Sequence, residues 1–156
     1  MPVYYLKGDL FLSRAQTIGH GCNCAGRMGR GIALEFKRRW PAMFKEYRRR
    51  CHHQQLVPGT YYLEKMTSPW VLNIATQGTT RGASPNYVDA CFGLIAYNYA
   101  QEGIQSLAMP RIAAGLGGLD WSVVCQLIES HLDLLPIPVL VYSEYVPGMI
   151  ADEPIT

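Results

Sequence analysis

Two stretches of this chain combine polar side chains and glycines at a spacing suited to holding an anion. The first reads His20-Gly21-Cys22-Asn23-Cys24-Ala25-Gly26-Arg27-Met28-Gly29-Arg30-Gly31-Ile32-Ala33. Glycines at 26, 29 and 31 let a backbone turn at positive φ and approach a ligand closely, while the first amides of the helix that follows are unpaired donors. The second, Met109-Pro110-Arg111-Ile112-Ala113-Ala114-Gly115-Leu116-Gly117-Gly118-Leu119-Asp120-Trp121, repeats the order of strand, glycine-rich turn and capped helix. Two such cradles at corresponding places of one sheet predict a diphosphate in the crevice beyond the strand ends. The Walker loop GxxxxGK[ST] is missing, as is GxGxxG at the first strand-to-helix turn, which disfavours mononucleotide kinases and Rossmann dehydrogenases.

The elements that position these loops follow from hydrophobic period. Val3 to Leu6, Thr17 to Asn23, Thr60 to Glu64, Trp70 to Thr76, Ser106 to Met109 and Val139 to Tyr142 read as short strands. Between them, Ile32 to Trp40 and Pro41 to about Arg50 read as helices, the second restarted by proline at its first position. Ser84-Pro85 opens a long helix with Val88, Cys91, Phe92, Ile95 and Tyr99 on one face and Gly103 as its stop. Asp120 caps a last helix carrying Val124, Leu127 and Ile128. Alternating strands and helices predict a sheet covered on both faces. The expected division is one domain over 1–146 and a loose tail over 147–156.

Composition narrows the class. Apolar residues make up 49% and charged residues 17% of 156 residues, a globular balance. No apolar run approaches the roughly 20 residues of a membrane span, so no membrane contact is expected. Five cysteines, an odd number without a signal peptide, predict free thiols and a cytoplasmic protein, which we expect to be a monomer. A zinc site from His20, Cys22 and Cys24 with Cys51, His52 and His53 is disfavoured by spacing, so neither metal nor cofactor is expected. Net charge is +2, yet seven of the 14 Lys and Arg residues lie within 37–53 against one acid, Glu46. Such a segment reads either as solvated helix surface or as a contact for nucleic acid.

Gly8-Asp9-Leu10, the Asn23 to Ala33 loop and the Gly115 to Trp121 loop resemble the motifs of macro domains, from about Val3 to Tyr142. The first loop looks most like the branch of terminal ADP-ribose glycohydrolases and DNA ADP-ribosyl glycohydrolases, and His20 is similar to a residue of ADP-ribose-1''-phosphate phosphatases. The resemblance implies a three-layer α/β/α sandwich with a mixed central sheet. It also implies ADP-ribose or an ADP-ribosylated macromolecule as partner. Asp9, with Leu10 beside it, would accept the adenine amino group. Gly29, Gly31 and Ile32 would wrap the distal ribose and phosphates. Ala113, Ala114, Gly115, Leu116, Gly117 and Gly118 would give amides to the diphosphate, and Tyr142 and Ser143 would lie by the adenine.

Two positions depart from the branch. Gln77 stands where a lysine follows the Asn-x-x-Thr strand end, and Gly117 stands where the terminal glycohydrolases place an aspartate. Glutamine forms no Schiff base. The remaining candidates for chemistry are His20 as a base near neutral pH and Asn23 to orient its water. Arg27, Arg30, Arg81 and Arg111 are candidate phosphate clamps, and Gln77, Thr79 and Arg81 form an expected lip over the distal ribose. The expected activity is hydrolysis of an ADP-ribosyl bond. The alternatives are ADP-ribose-1''-phosphate phosphatase and a reader without activity.

Overall fold

The computed structural model describes residues 3–80 and 82–155. Its six strands are β1 (Val3–Gly8), β2 (Thr17–Cys22), β3 (Tyr61–Glu64), β4 (Trp70–Ala75), β5 (Leu107–Pro110) and β6 (Val139–Tyr145). The helices are α1 (Gly31–Arg39), α2 (Pro41–His52), α3 (Pro85–Glu102) and α4 (Trp121–Leu132), with a 3-10 turn at Leu10–Leu12. One sheet of order β1-β6-β5-β2-β4-β3 results, parallel throughout except for β3 against β4. It is the expected mixed sheet.

Side chains alternate across a strand, so neighbouring residues serve opposite cores. Val71, Ala108 and Leu140 join Phe36, Met43, Phe44 and Tyr47 under α1 and α2. Leu72, Leu107, Met109, Val139 and Val141 join Val88, Phe92, Ile95, Val124 and Ile128 under α3 and α4. Near-continuous apolar strands are what two covered faces require, and the three-layer sandwich follows. Among the described residues, no helix is long and apolar enough to cross a membrane.

The expectation of a loose tail is corrected. Gly148 N donates to Asp9 Oδ2 at 2.8 Å, and Asp9 N donates to Met149 O at 2.6 Å. The buried Glu153 carboxylate accepts from Arg14 N at 2.8 Å and from the Tyr142 hydroxyl at 2.6 Å. These bonds bind the segment to the β1–β2 connection, which a reading by composition alone cannot detect.

Candidate functional site

Because β2, β4, β5 and β6 are mutually parallel or linked through parallel neighbours, their carboxyl ends open on one side. The loops that leave them enclose a cleft of about 720 Å³. Both glycine-rich stretches face it. Gly29, Gly31 and Ile32 stand on one wall, Ala113, Gly115, Leu116 and Gly117 on the other, with Asn23, Gln77 and Thr79 between.

Each wall presents unsatisfied backbone donors. Helix α1 starts without a side-chain cap, since Arg30 makes no capping bond. Gly31, with φ +61°, admits the turn that leads into it. Among the described residues, the amides of Gly31, Ile32 and Ala33 have no acceptor. The facing turn is closed by Leu119 N to Ala113 O at 2.9 Å and Gly118 N to Gly115 O at 3.1 Å. This leaves the amides of Gly115, Leu116 and Gly117 equally without acceptors among those residues. The walls nearly meet: a Cβ built at Gly31 would lie 3.3 Å from Leu116 Cδ1. Among the described residues, Arg27, Arg30 and Arg111 are the charged residues of the wall, and no carboxylate lines it. Amide rows, a helix start and three guanidinium groups make a strongly anion-seeking cleft.

Asn23 shapes the first loop. Its Oδ1 accepts from Ala25 N at 3.0 Å and from the Tyr47 hydroxyl at 2.7 Å, and its Nδ2 donates to Arg27 O at 2.9 Å. The side chain thus builds the loop while standing on the cleft wall, with one Nδ2 hydrogen uncommitted among the described residues. Tyr47→Phe removes the hydroxyl from this knot. We expect about 1–2 kcal/mol of lost stability, with faster hydrogen exchange at Ala25 and Arg27; unchanged exchange there would show that the knot does not hold the loop.

His20 is also corrected. It is fully buried, absent from the cleft wall, and stacked on Phe36 of α1 at 4.0 Å and 10°. Cross-strand register sets His20 beside Asn73, and Nε2 lies 2.7 Å from Asn73 Oδ1. Asn73 Nδ2 donates to Tyr62 O at 3.2 Å, so Oδ1 is the acceptor and the His20 proton sits on Nε2. Burial lowers its pKa to about 4, against the opposing Asn73 bond. A base shut away from water does not serve hydrolysis.

The adenine-side expectations also shift. Leu10 and Tyr142 are buried in the core, and the Ser143 hydroxyl donates to Leu6 O at 3.4 Å. None of the three lines the cleft, and neither does Asp9, whose oxygens accept from Phe11 N at 2.9 Å and Gly148 N at 2.8 Å. Tyr145 lines it instead, because β6 runs three residues past Tyr142. Burial, and then the charge of Asp9, push the Tyr145 hydroxyl pKa up. Ala114 and Gly118 belong to the second turn without lining the cleft. Gln77 Oε1 accepts from Gly82 N at 3.3 Å and ties the lip. Arg81 lies outside the described residues. Thr76, on the cleft floor, was not anticipated; its place directly after a buried strand was the available signal.

Comparison with known proteins supplies the family. A family model described as Macro domain matches residues 20–128. The chain is 32% identical over 157 residues to the DNA ADP-ribosyl transferase-DNA ADP-ribosyl glycohydrolase fusion protein of Thermosipho africanus, covering 88% of this chain and 40% of that one. It is 29% identical over 139 residues to the ADP-ribose 1''-phosphate phosphatase of Lodderomyces elongisporus, covering 78% and 87%. Among solved structures, Thermosipho africanus DarTG in complex with ADP-ribose matches with TM-score 0.86 at 32% identity, over 95% of this chain and 42% of that one. The macrodomain of Mycobacterium tuberculosis DarG matches with TM-score 0.83 at 29% identity, over 94% and 98%. The chain spans 40% of the length of the DNA ADP-ribosyl glycohydrolases among these curated relatives. Matched across residues 20–128 and sharing the fold of these neighbours along nearly its whole length, the chain belongs to the Macro domain family.

Proposed function

We propose that the cleft binds ADP-ribose and that the protein hydrolyses an ADP-ribosyl adduct. The carrying observation is the pair of facing amide rows, 31–33 and 115–117, with no acceptor of their own among the described residues. A diphosphate satisfies both rows at once, and Arg27, Arg30 and Arg111 reinforce the attraction. The purine is assigned to the corner of Asp9 and Tyr145, where lone pairs left on the carboxylate accept the adenine amino group. Relatives named as a glycohydrolase fusion protein and a phosphatase, and a neighbour solved with ADP-ribose, support the reading.

Hydrolysis needs a water and an acceptor for its proton. Among the described residues, the cleft wall carries no carboxylate, imidazole or amine, and burial pushes the Cys22 thiol well up, keeping it protonated. In this reading water bonds to the anomeric carbon as the bond to the adduct breaks, and an oxygen of the bound diphosphate takes the water's proton and hands it to the departing group. The same composition of the wall favours a second reading, a reader that holds ADP-ribosylated macromolecules without turnover.

The macromolecule is proposed to be nucleic acid. Glu46 pairs with Arg49 and Arg50, and Glu35 with Arg39. Lys37, Arg38, Lys45 and Arg48 have no carboxylate partner among the described residues. The stem of Arg48 packs on the first loop, 3.2 Å from a Cβ built at Gly26, so this basic face continues into Arg27 and Arg30.

Calorimetry with ADP-ribose, followed by turnover of ADP-ribosylated protein, ADP-ribosylated DNA and ADP-ribose-1''-phosphate, tests all three statements. We expect binding, turnover fastest on DNA and weakened by salt, and a kcat profile without the limb that a histidine base gives near its ordinary pKa of about 6.5. Binding without turnover selects the reader. No binding at millimolar ADP-ribose rejects the assignment of the cleft.

A further inference from the structure

The second glycine-rich loop begins and ends on two side chains that meet. Arg111 directly follows β5, and Trp121 is the first residue of α4. Between them Leu119 N donates to Ala113 O at 2.9 Å, which folds the loop back on itself, and the Asp120 carboxylate accepts from Ser122 N at 3.1 Å, which fixes the helix start. The reversal brings the Arg111 guanidinium carbon to 5.1 Å from the centre of the Trp121 ring. Indole attracts a cation more strongly than the other aromatic side chains do, and contact within about 6 Å is favourable. Trp121 is itself half-buried against the core under α3 and α4, so its ring is a fixed platform.

Arg27 and Arg30, which share the wall with Arg111, have no such support among the described residues. Arginine–aromatic contacts there involve Arg39, Arg48, Arg50 and Arg111. Arginine ion pairs there involve Arg14, Arg39, Arg49 and Arg50. Arg111 thus has an aromatic partner and no carboxylate, whereas Arg27 and Arg30 have neither. The difference matters because an arginine side chain carries about 2 kcal/mol of rotamer entropy. A group ordered in the free protein does not lose that freedom again on binding. A carboxylate would also order the side chain, but it would neutralise the charge. A ring orders it and leaves the charge for a ligand.

We propose that Trp121 is a positioning residue: its ring holds Arg111 at the cleft, so that Arg111, unlike Arg27 and Arg30, is set in place before an anionic ligand arrives. Trp121 does not itself line the cleft and acts through Arg111. The proposal rests on the ADP-ribose reading of the cleft, since that ligand supplies the anion.

Calorimetry with ADP-ribose at several salt concentrations tests it on the parent, Arg111→Ala, Arg27→Ala, Arg30→Ala, Trp121→Leu, Trp121→Phe and the Arg111→Ala/Trp121→Leu double variant. We expect Arg111→Ala to weaken binding roughly tenfold, and Arg27→Ala or Arg30→Ala roughly twofold each. Trp121→Leu removes the ring and should weaken binding about fivefold, with a salt dependence flattened toward that of Arg111→Ala. Trp121→Phe keeps a ring and should recover most of the loss. In the Arg111→Ala background, Trp121→Leu should cost nothing further. A tryptophan with a purely structural role would instead weaken both backgrounds by the same factor and leave the salt dependence alone, which overturns the proposal. Unchanged binding in Trp121→Leu overturns it too, and tighter binding would show that the ring draws Arg111 away from the ligand. Should Trp121→Leu not fold, the three single arginine variants decide, because equal losses among them contradict a preset Arg111. A parent that ignores ADP-ribose rejects the reading of the cleft and not the contact between Trp121 and Arg111.

Discussion

Gly117→Ala is expected to weaken ADP-ribose binding about a hundredfold, equivalent to about 3 kcal/mol. A Cβ at this position would stand 2.6 Å from the carbonyl oxygen of Ala113 and 2.9 Å from its carbon, with no flexible side chain to yield. That oxygen also accepts from Leu119 N and so closes the turn. The turn must open to admit a methyl group, and opening it turns the amides of Gly115, Leu116 and Gly117 away from a common ligand. Gly117 O also accepts from Ala83 N, so the lip moves with the turn. Gly115→Ala is the comparison, since nothing lies within 4 Å of its Cβ position. Calorimetry decides: affinities that fall equally in the two variants would show that closure of the turn does not set the cradle.

The second large effect concerns pH and involves no group of the cleft. His20 is neutral in the folded protein down to about pH 4, whereas its unfolded value is 6.5. Between these values the unfolded chain binds the extra proton, so stability rises with pH in that window. The full contribution is present above pH 6.5 and is lost progressively as pH falls toward 4, a total of about 3 kcal/mol. Denaturant unfolding at intervals across this range measures it. His20→Gln cannot titrate and retains a donor for Asn73; its stability should fall less steeply with acid. Because His20 does not reach the cleft, the same variant should keep turnover within a few-fold of the parent at neutral pH, whereas loss of a true base costs on the order of 100-fold or more. A loss of that size in a stably folded His20→Gln would return the histidine to the chemistry.

The parallel strands, the restart of α2 at Pro41, the stop at Gly103 and the cap at Asp120 are local features, and period and propensity reveal them. The two loops are legible for the same reason: a strand, a run of glycines and a helix start lie together in sequence. Single side chains at strand ends are less so. Whether a residue ending a strand points up into a crevice or down into a core depends on register with neighbours far away in sequence. His20 is paired with Asn73 by the register of β2 with β4 and covered by Phe36. Asp9 is claimed by Gly148, 139 positions away. Tyr145 replaces Tyr142 at the cleft because β6 continues three residues further.

The chain by itself therefore determined the layered fold, the order of its elements and the two reversals that carry free amides, because each depends on residues within a few positions of one another. Tertiary structure alone decided the surroundings of single polar groups: it buried His20, tied Asn23 to its own loop and to Tyr47, fixed the Asp9 carboxylate by the returning Gly148 amide, and left Thr76 Oγ1 without a partner among the described residues. The physical reason is that a hydrogen-bonding group takes whatever partner folding brings within about 3 Å, and that partner is set by strand register and chain return.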